Sequence, residues 1–364
     1  MKIKLSNYQF FSVIFNFIIF SSILMAPALT VAGAKQDGWI SMLLASIIGL
    51  LLMALYLFLF KKYNYPSLFE LMDKAAGKWL GTIINLLIIF YAIHLAALVV
   101  RNLSNFMVVS VIPYSHPWNY QIMILVLVSY TAVLGVKKLF LVSELLFPLV
   151  IFFLLGSLLL VTEEFAFLEL KPVFKTGFSP IIEGAYPTLG FPFIEVLLLS
   201  TFLQFLEKKD KAMMTFLSGI AVGGLILSVT VFFIIGDEGA YMVGRESFPT
   251  YSVLRDIDFI AIFERVEILM AIAWINGLFV KITACFLVVM IGLQHLAKSS
   301  NYYFFIIPVG ILIWAMSNHL HKSIMDFNNF VNTSWTLYWL TLYSIIIIVF
   351  LIGFVRKKQI NASL

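Results

Sequence analysis

Two ionisable side chains, Glu195 and Lys281, fall deep inside apolar runs, where a bilayer or a dry core would surround them. Placing a charge at mid-bilayer costs about 2.5–3.5 kcal/mol on insertion scales, so such residues mark a special role. Two roles fit. One is a structural ion pair; the other is a site that binds an ion or passes a proton, because a carboxylate or an amine in low dielectric titrates readily. Arg101 and Glu144 lie nearer the ends of their runs, within snorkelling reach of water, and His94 reads first as a satisfied core residue. Glu264-Arg265-x-Glu267 opens a further run, and its carboxylates at i and i+3 share one helix face, as a charge network or a gate. No nucleophile-and-base pair accompanies these groups, so nothing in the residues supports an enzyme. The single cysteine, Cys285, sits in an apolar run. There is no disulfide framework, His-x-x-x-His, P-loop or dinucleotide fingerprint, so neither a metal nor a cofactor is expected.

The elements that must carry these groups are membrane helices. Of 364 residues, 62% are hydrophobic and 12% charged, against roughly 25% charged in a soluble domain. The mean hydropathy is +1.02. A span needs about 20 apolar residues. Ten runs qualify, near 8–33, 39–60, 79–104, 119–136, 139–162, 181–206, 211–236, 262–293, 301–318 and 334–355. Lys2 and Lys4 precede the first run as they would in a signal peptide, but its apolar core is too long, and it reads as a retained span.

Loop charges set the orientation. One side carries fifteen basic residues: Lys2, Lys4, Lys61, Lys62, Lys74, Lys78, Lys137, Lys138, Lys208, Lys209, Lys211, Lys298, Arg356, Lys357 and Lys358. The other carries seven, Lys35, Lys171, Lys175, Arg245, Arg255, Arg265 and Lys322, set among acids. Both termini are therefore expected in the cytoplasm, which an even number of spans requires. The net charge of +5 is topological and does not point to nucleic acid. Two outer loops, 163–180 and 237–261, hold Glu163, Glu164, Glu169, Asp237, Glu238, Glu246, Asp256 and Asp258. They serve either as solvated connectors or as an outer gate or docking surface.

Two spans look broken. The sixth contains Gly184, Pro187, Gly190 and Pro192 ahead of Glu195, and proline removes a backbone donor where glycine tolerates the freed geometry. The first has Ser21 and Ser22 near mid-membrane with Pro27 a turn beyond. Helices one and six are equivalent in a five-plus-five inverted repeat, and paired breaks point to a substrate site between them. The repeats would be residues 8–162 and 181–355 of a single transmembrane domain covering 1–364. A kink alone is often only packing. As a site, the breaks would offer free N–H and C=O groups near Ser21, Ser22, Ile23, Leu24 and Gly190. Phe20, Phe191 and Phe193 would line the apolar side and Glu195 would stand beside it, which favours a small or apolar amino acid.

A family resemblance rests on specific residues. Asp37-Gly38-Trp39-Ile40, Lys61-Lys62, Tyr65-Pro66-Ser67-Leu68-Phe69-Glu70 and Gly77-Lys78-Trp79-Leu80-Gly81 resemble the B-subunit family of spore germinant receptors. So do Arg101, Lys171-Pro172, Glu195-Val196, Phe248-Pro249-Thr250 and Phe263-Glu264-Arg265-Val266-Glu267, at similar spacings over most of the chain. The resemblance implies an all-α integral membrane fold of the amino acid-polyamine-organocation superfamily, a LeuT-like inverted repeat. It implies a nutrient-sensing subunit in the spore inner membrane, with an A-type membrane subunit and a C-type lipoprotein as partners and an amino acid or sugar as germinant. One stretch departs from the family: in Phe20-Ser21-Ser22-Ile23-Leu24-Met25-Ala26-Pro27-Ala28, Phe20 and Ser22 stand where glycines are usual and Ala28 replaces a basic residue. The wider superfamily often holds sodium between helices one and eight, and Lys281 falls close to that place. An ammonium there would satisfy the carbonyls around Ile23 and make the protein independent of sodium. The competing readings are a proton-coupled amino-acid permease acting alone, with Lys281 or Glu195 carrying the proton, and a structural subunit with a vestigial pocket.

Overall fold

The computed structural model describes residues 3–160, 165–175, 177–256 and 266–362. Among these residues it is helical throughout, apart from one isolated bridge between Leu5 and Leu206. The first span divides into α1 (Asn7–Ser22) and α2 (Ala26–Ala34), and α3 (Gly38–Lys61) follows a tight turn. Then come α4 (Leu68–Ala76), α5 (Lys78–Phe106), α6 (Pro117–Leu134) and α7 (Val136–Leu160). The second half holds α8 (Ser179–Thr188), α9 (Ala212–Val243), α10 (Pro249–Asp256), α11 (Val266–Ala297), α12 (Tyr303–His319), α13 (Ile324–Phe330) and α14 (Thr336–Ala362).

Eight helical stretches among the described residues are long and apolar enough to cross a membrane, and Tyr303–His319 is a shorter apolar helix. That count differs from the ten expected spans for a physical reason. The first break leaves α1 only 16 residues long, and the turn after α2 lets Ala26–Lys61 run as one stretch. The eight stretches and the exposure of large apolar side chains along them, such as Leu51, Met123, Phe152 and Leu351, define an integral membrane helical protein. Water cannot satisfy a backbone inside a bilayer, so helices carry their own hydrogen bonds.

The first break lies at Ile23–Met25, a turn ahead of Pro27. Pro27 sits in the first turn of α2, where its missing N–H costs nothing, so it starts a helix instead of ending one. In the sixth span, α8 passes into a π-helical turn (Leu189–Ile194) and a 3₁₀ segment (Glu195–Phe205). Phe191 there is extended, at φ −119 and ψ 105.

The two broken spans cross backbone to backbone. A Cβ on Gly33 would lie 2.5 Å from the Gly184 nitrogen, and one on Gly184 would lie 2.6 Å from the Thr30 carbonyl oxygen. Small residues permit this approach. Phe193 is seated against Gly49 of α3, and Phe20 against Gly277 of α11.

The N-terminal segment is latched to the end of the sixth span. Leu5 N–H donates to the Phe205 carbonyl at 2.9 Å, and Glu207 N–H donates to the Leu5 carbonyl at 3.0 Å. Ser6 and Gln9 then close a reciprocal cap at the start of α1. The segment after Gly236 is less loop-like than its acids suggested. The helix α9 continues through a kink at Gly239, and α10 buries Pro249 to Leu254. The acids Glu163, Glu164 and Asp258 lie outside the described residues.

Candidate functional site

The two breaks and the middle of α5 enclose a small cavity. Ser21 and Met25 come from the first break, Phe191 from the second, and Leu95, Leu98, Val99 and Asn102 from one face of α5. Leu278 of α11 closes one side; Phe327, Val331 and Trp335 close another. The volume is about 20 Å³, close to what one water needs. Its polar wall is sparse. The Ser21 hydroxyl donates to the Phe17 carbonyl at 2.9 Å, while the Asn102 amide donates to the Met25 sulfur at 3.0 Å. Sulfur is a weak acceptor, so the Asn102 amide is easily recruited by a better one.

The backbone freed at the breaks is already used. Thr250 of α10 donates its hydroxyl to the Ile23 carbonyl at 2.7 Å. Gly190 N–H donates to the Thr336 hydroxyl oxygen at 3.1 Å, and that hydroxyl donates to the Tyr186 carbonyl at 2.5 Å. Side chains from α10 and α14 thus splice each gap, as buried backbone groups require.

Glu195 and Lys281 meet. The Lys281 ammonium donates to Glu195 Oε1, and both side chains are fully buried. Two rings cover the ammonium, Phe17 at 4.5 Å and Phe191 at 5.0 Å. Aromatic faces stabilise a desolvated cation. Lys281 therefore faces Glu195 and not the carbonyls around Ile23, whose donor is Thr250. Phe191 is shared, with one ring at both the cavity wall and the cover of the ion pair.

Of the residues expected to bind ligand, Ser21 and Phe191 line the cavity. Phe20, Ser22, Ile23, Leu24, Gly190, Phe193 and Glu195 do not. Phe20 and Phe193 fill glycine notches on neighbouring helices, and a Cβ on Gly190 would stand 2.6 Å from the Thr336 Cα. Those are packing positions. Arg101, expected at a gate or interface, donates from Nη1 to the Ser317 carbonyl at 3.3 Å. Glu264 and Arg265 lie outside the described residues, and Glu267 is buried in the first turn of α11. The residues that sequence reasoning missed are those from α5, α11, α13 and the π-helical turn after α13 (Val331–Trp335). Asn102 alone carried a signal, as an amide within an apolar helix.

An integral membrane helical protein with a cavity at paired helix breaks over a buried ion pair is the class these features define. Residues 4–327 match the spore germination protein family, and the chain belongs to it. It is 30% identical to spore germination protein KB of Bacillus subtilis (strain 168) over 323 residues, covering 87% of this chain and 85% of that protein. Spore germination protein A2 of the same strain is 30% identical over 285 residues, 76% of each chain. Spore germination protein XB of Bacillus anthracis is 24% identical over 255 residues, 68% of this chain and 69% of that protein. The family expected from the residue motifs is thereby shown.

Proposed function

We propose that the chain is the nutrient-sensing membrane subunit of a germinant receptor, and that its ligand is a small amino acid held where the two broken helices meet. The observation that carries this reading is the cavity itself, which draws Ser21 and Phe191 from the two breaks and places the Glu195–Lys281 pair directly behind Phe191. A ligand larger than one water must displace a wall, and moving Phe191 uncovers a buried charge pair. Binding then has a mechanical and an electrostatic consequence in one step. The same reading includes ten spans in a five-plus-five inverted repeat, both termini in the cytoplasm, residence in the spore inner membrane, and A-type and C-type subunits as partners.

The variant Asn102→Leu tests it. It keeps the branched outline of the side chain and removes its amide. Spores carrying it should require at least about tenfold more germinant, equivalent to about 1.4 kcal/mol of lost binding and within the range of one hydrogen bond, with normal protein levels. An unchanged dose response in a screen against the twenty amino acids counts against this site. A second reading, a permease acting alone, is favoured by the ion pair beside the cavity. Uptake of labelled amino acid by the chain alone in liposomes would select it.

A further inference from the structure

The cavity wall formed by α13 and the turn that follows it hides a basic corner. His321, at 7% exposure, packs its ring on Phe327 at 5.6 Å, and His94, also at 7%, packs on Trp335 at 5.6 Å. Both imidazoles also lie against Phe330. Arg101 stands two turns beyond His94 on the same face of α5. It makes one hydrogen bond, to the Ser317 carbonyl, and its Nε–H is buried without an acceptor. Among the described residues no carboxylate lies within ion-pair range of it.

The two histidines are anchored by one nitrogen each. His321 Nδ1 lies 3.3 Å from Asp326 Oδ2, and His94 Nδ1 lies 2.9 Å from the Tyr338 hydroxyl. In both rings Nε2 is buried with no partner. Burial holds His321 below the ordinary imidazole range, and the Arg101 charge pushes the same way against the opposing pull of Asp326. With its Nδ1–H turned to Asp326, neutral His321 offers a lone pair at Nε2. Asp326 uses Oδ2 for both His321 and the Lys322 N–H. A buried polar atom left unpaired costs about 1–3 kcal/mol, so three such nitrogens beside a small cavity indicate an occupant that supplies their partners.

We propose that Arg101, His94 and His321 form the polar end of the ligand site, with Arg101 taking the carboxylate of a small carboxylic or amino acid. The corner is reached when Phe327 and Trp335 swing away from the cavity. This deepens the ligand-binding reading and rests on it. The guanidinium is the planar fork that binds a carboxylate through paired hydrogen bonds. The His321 lone pair suits the ammonium of an α-amino acid. The wall is the part able to move. The helix α13 has seven residues and leaves Met325 and Asp326 exposed, and a π-helical turn (Val331–Trp335) follows it. Such turns often mark functional sites. The facing walls come from α1, α5 and α11, whose cavity residues are buried. Because the backbone at both breaks is spliced by Thr250 and Thr336, a carboxylate must find its partners elsewhere, and Arg101 provides them.

The probe is propionate against its neutral isostere propionamide, measured by thermal shift on the full-length chain in detergent at matched ionic strength. Propionate should raise the melting temperature saturably and propionamide should not. Arg101→Gln should weaken propionate at least about tenfold. Arg101→Lys, which keeps the charge and loses the fork, should fall between. If Arg101→Gln does not fold, Arg101→Lys carries the test. Equal responses to the two compounds, no response to propionate, or variants within twofold of wild type overturn the proposal. The propionate measurement does not depend on any germination phenotype, so its failure is separable from failure of the Asn102→Leu test.

Discussion

Lys281 is surrounded by apolar atoms except where Glu195 meets it, so each charge is tolerable only because of the other. Removing one partner of a buried pair typically costs about 3–5 kcal/mol, while replacing both with apolar residues is often neutral. Lys281→Met should therefore lower thermal stability by roughly that amount, and the double variant Lys281→Met, Glu195→Met should recover most of it. Germination response should stay impaired in both. A single variant as stable as wild type would show that the pair does not hold the core together. The two charges were legible in the sequence because they lie deep in their runs, whereas Glu183, Glu264, Arg265 and Glu267 stand near the ends. Their pairing was not, since they lie 86 residues apart and helix rotation decides whether two side chains face each other. The cavity wall was less legible still. Leu95, Leu98 and Val99 differ in no chemical respect from the lipid-facing leucines and valines around them.

At the scale of elements, the broken spans act as a crossed pair whose separation is set by glycine. Gly184→Val would push a side chain into the Thr30 carbonyl, already only 2.6 Å from a bare Cβ. Overpacking of this kind costs about 1–3 kcal/mol. The expected result is a lower melting temperature and reduced yield, measured beside Gly156→Ala on α7, where a Cβ meets nothing within 4 Å. Equal behaviour of the two variants would refute the tight crossing. Both breaks were visible in the sequence from proline, glycine and paired serines. The first break, at Ile23–Met25, falls within the stretch expected from Ser21 onward, and Pro27 begins α2 just beyond it. The role of α10 was hidden because its acidic neighbours suggested a solvated loop, while Thr250 depends on a contact 227 residues away.

For the whole molecule, composition alone gave the class of fold, since a chain so apolar cannot be packed as a soluble domain. Its orientation is open to direct test. Lys35 and Lys62 are both exposed and flank α3 (Gly38–Lys61). In a Cys285→Ala background, Lys35→Cys should react with an impermeant thiol reagent from outside, and Lys62→Cys only after the membrane is opened. Labelling of both from one side of intact membranes would overturn the topology.

The latch between Leu5 and residues 205–207 has a consequence in time. Its two strands of backbone are about 200 residues apart, so the first helix cannot be fastened until the sixth span has emerged. At about 5–20 residues per second, synthesis of that stretch takes roughly 10–40 s. During that interval α1 sits in the bilayer with its N-terminal segment unpaired and its contacts with α9 and α11 unmade. The half of the cavity that is translated first is therefore the half completed late.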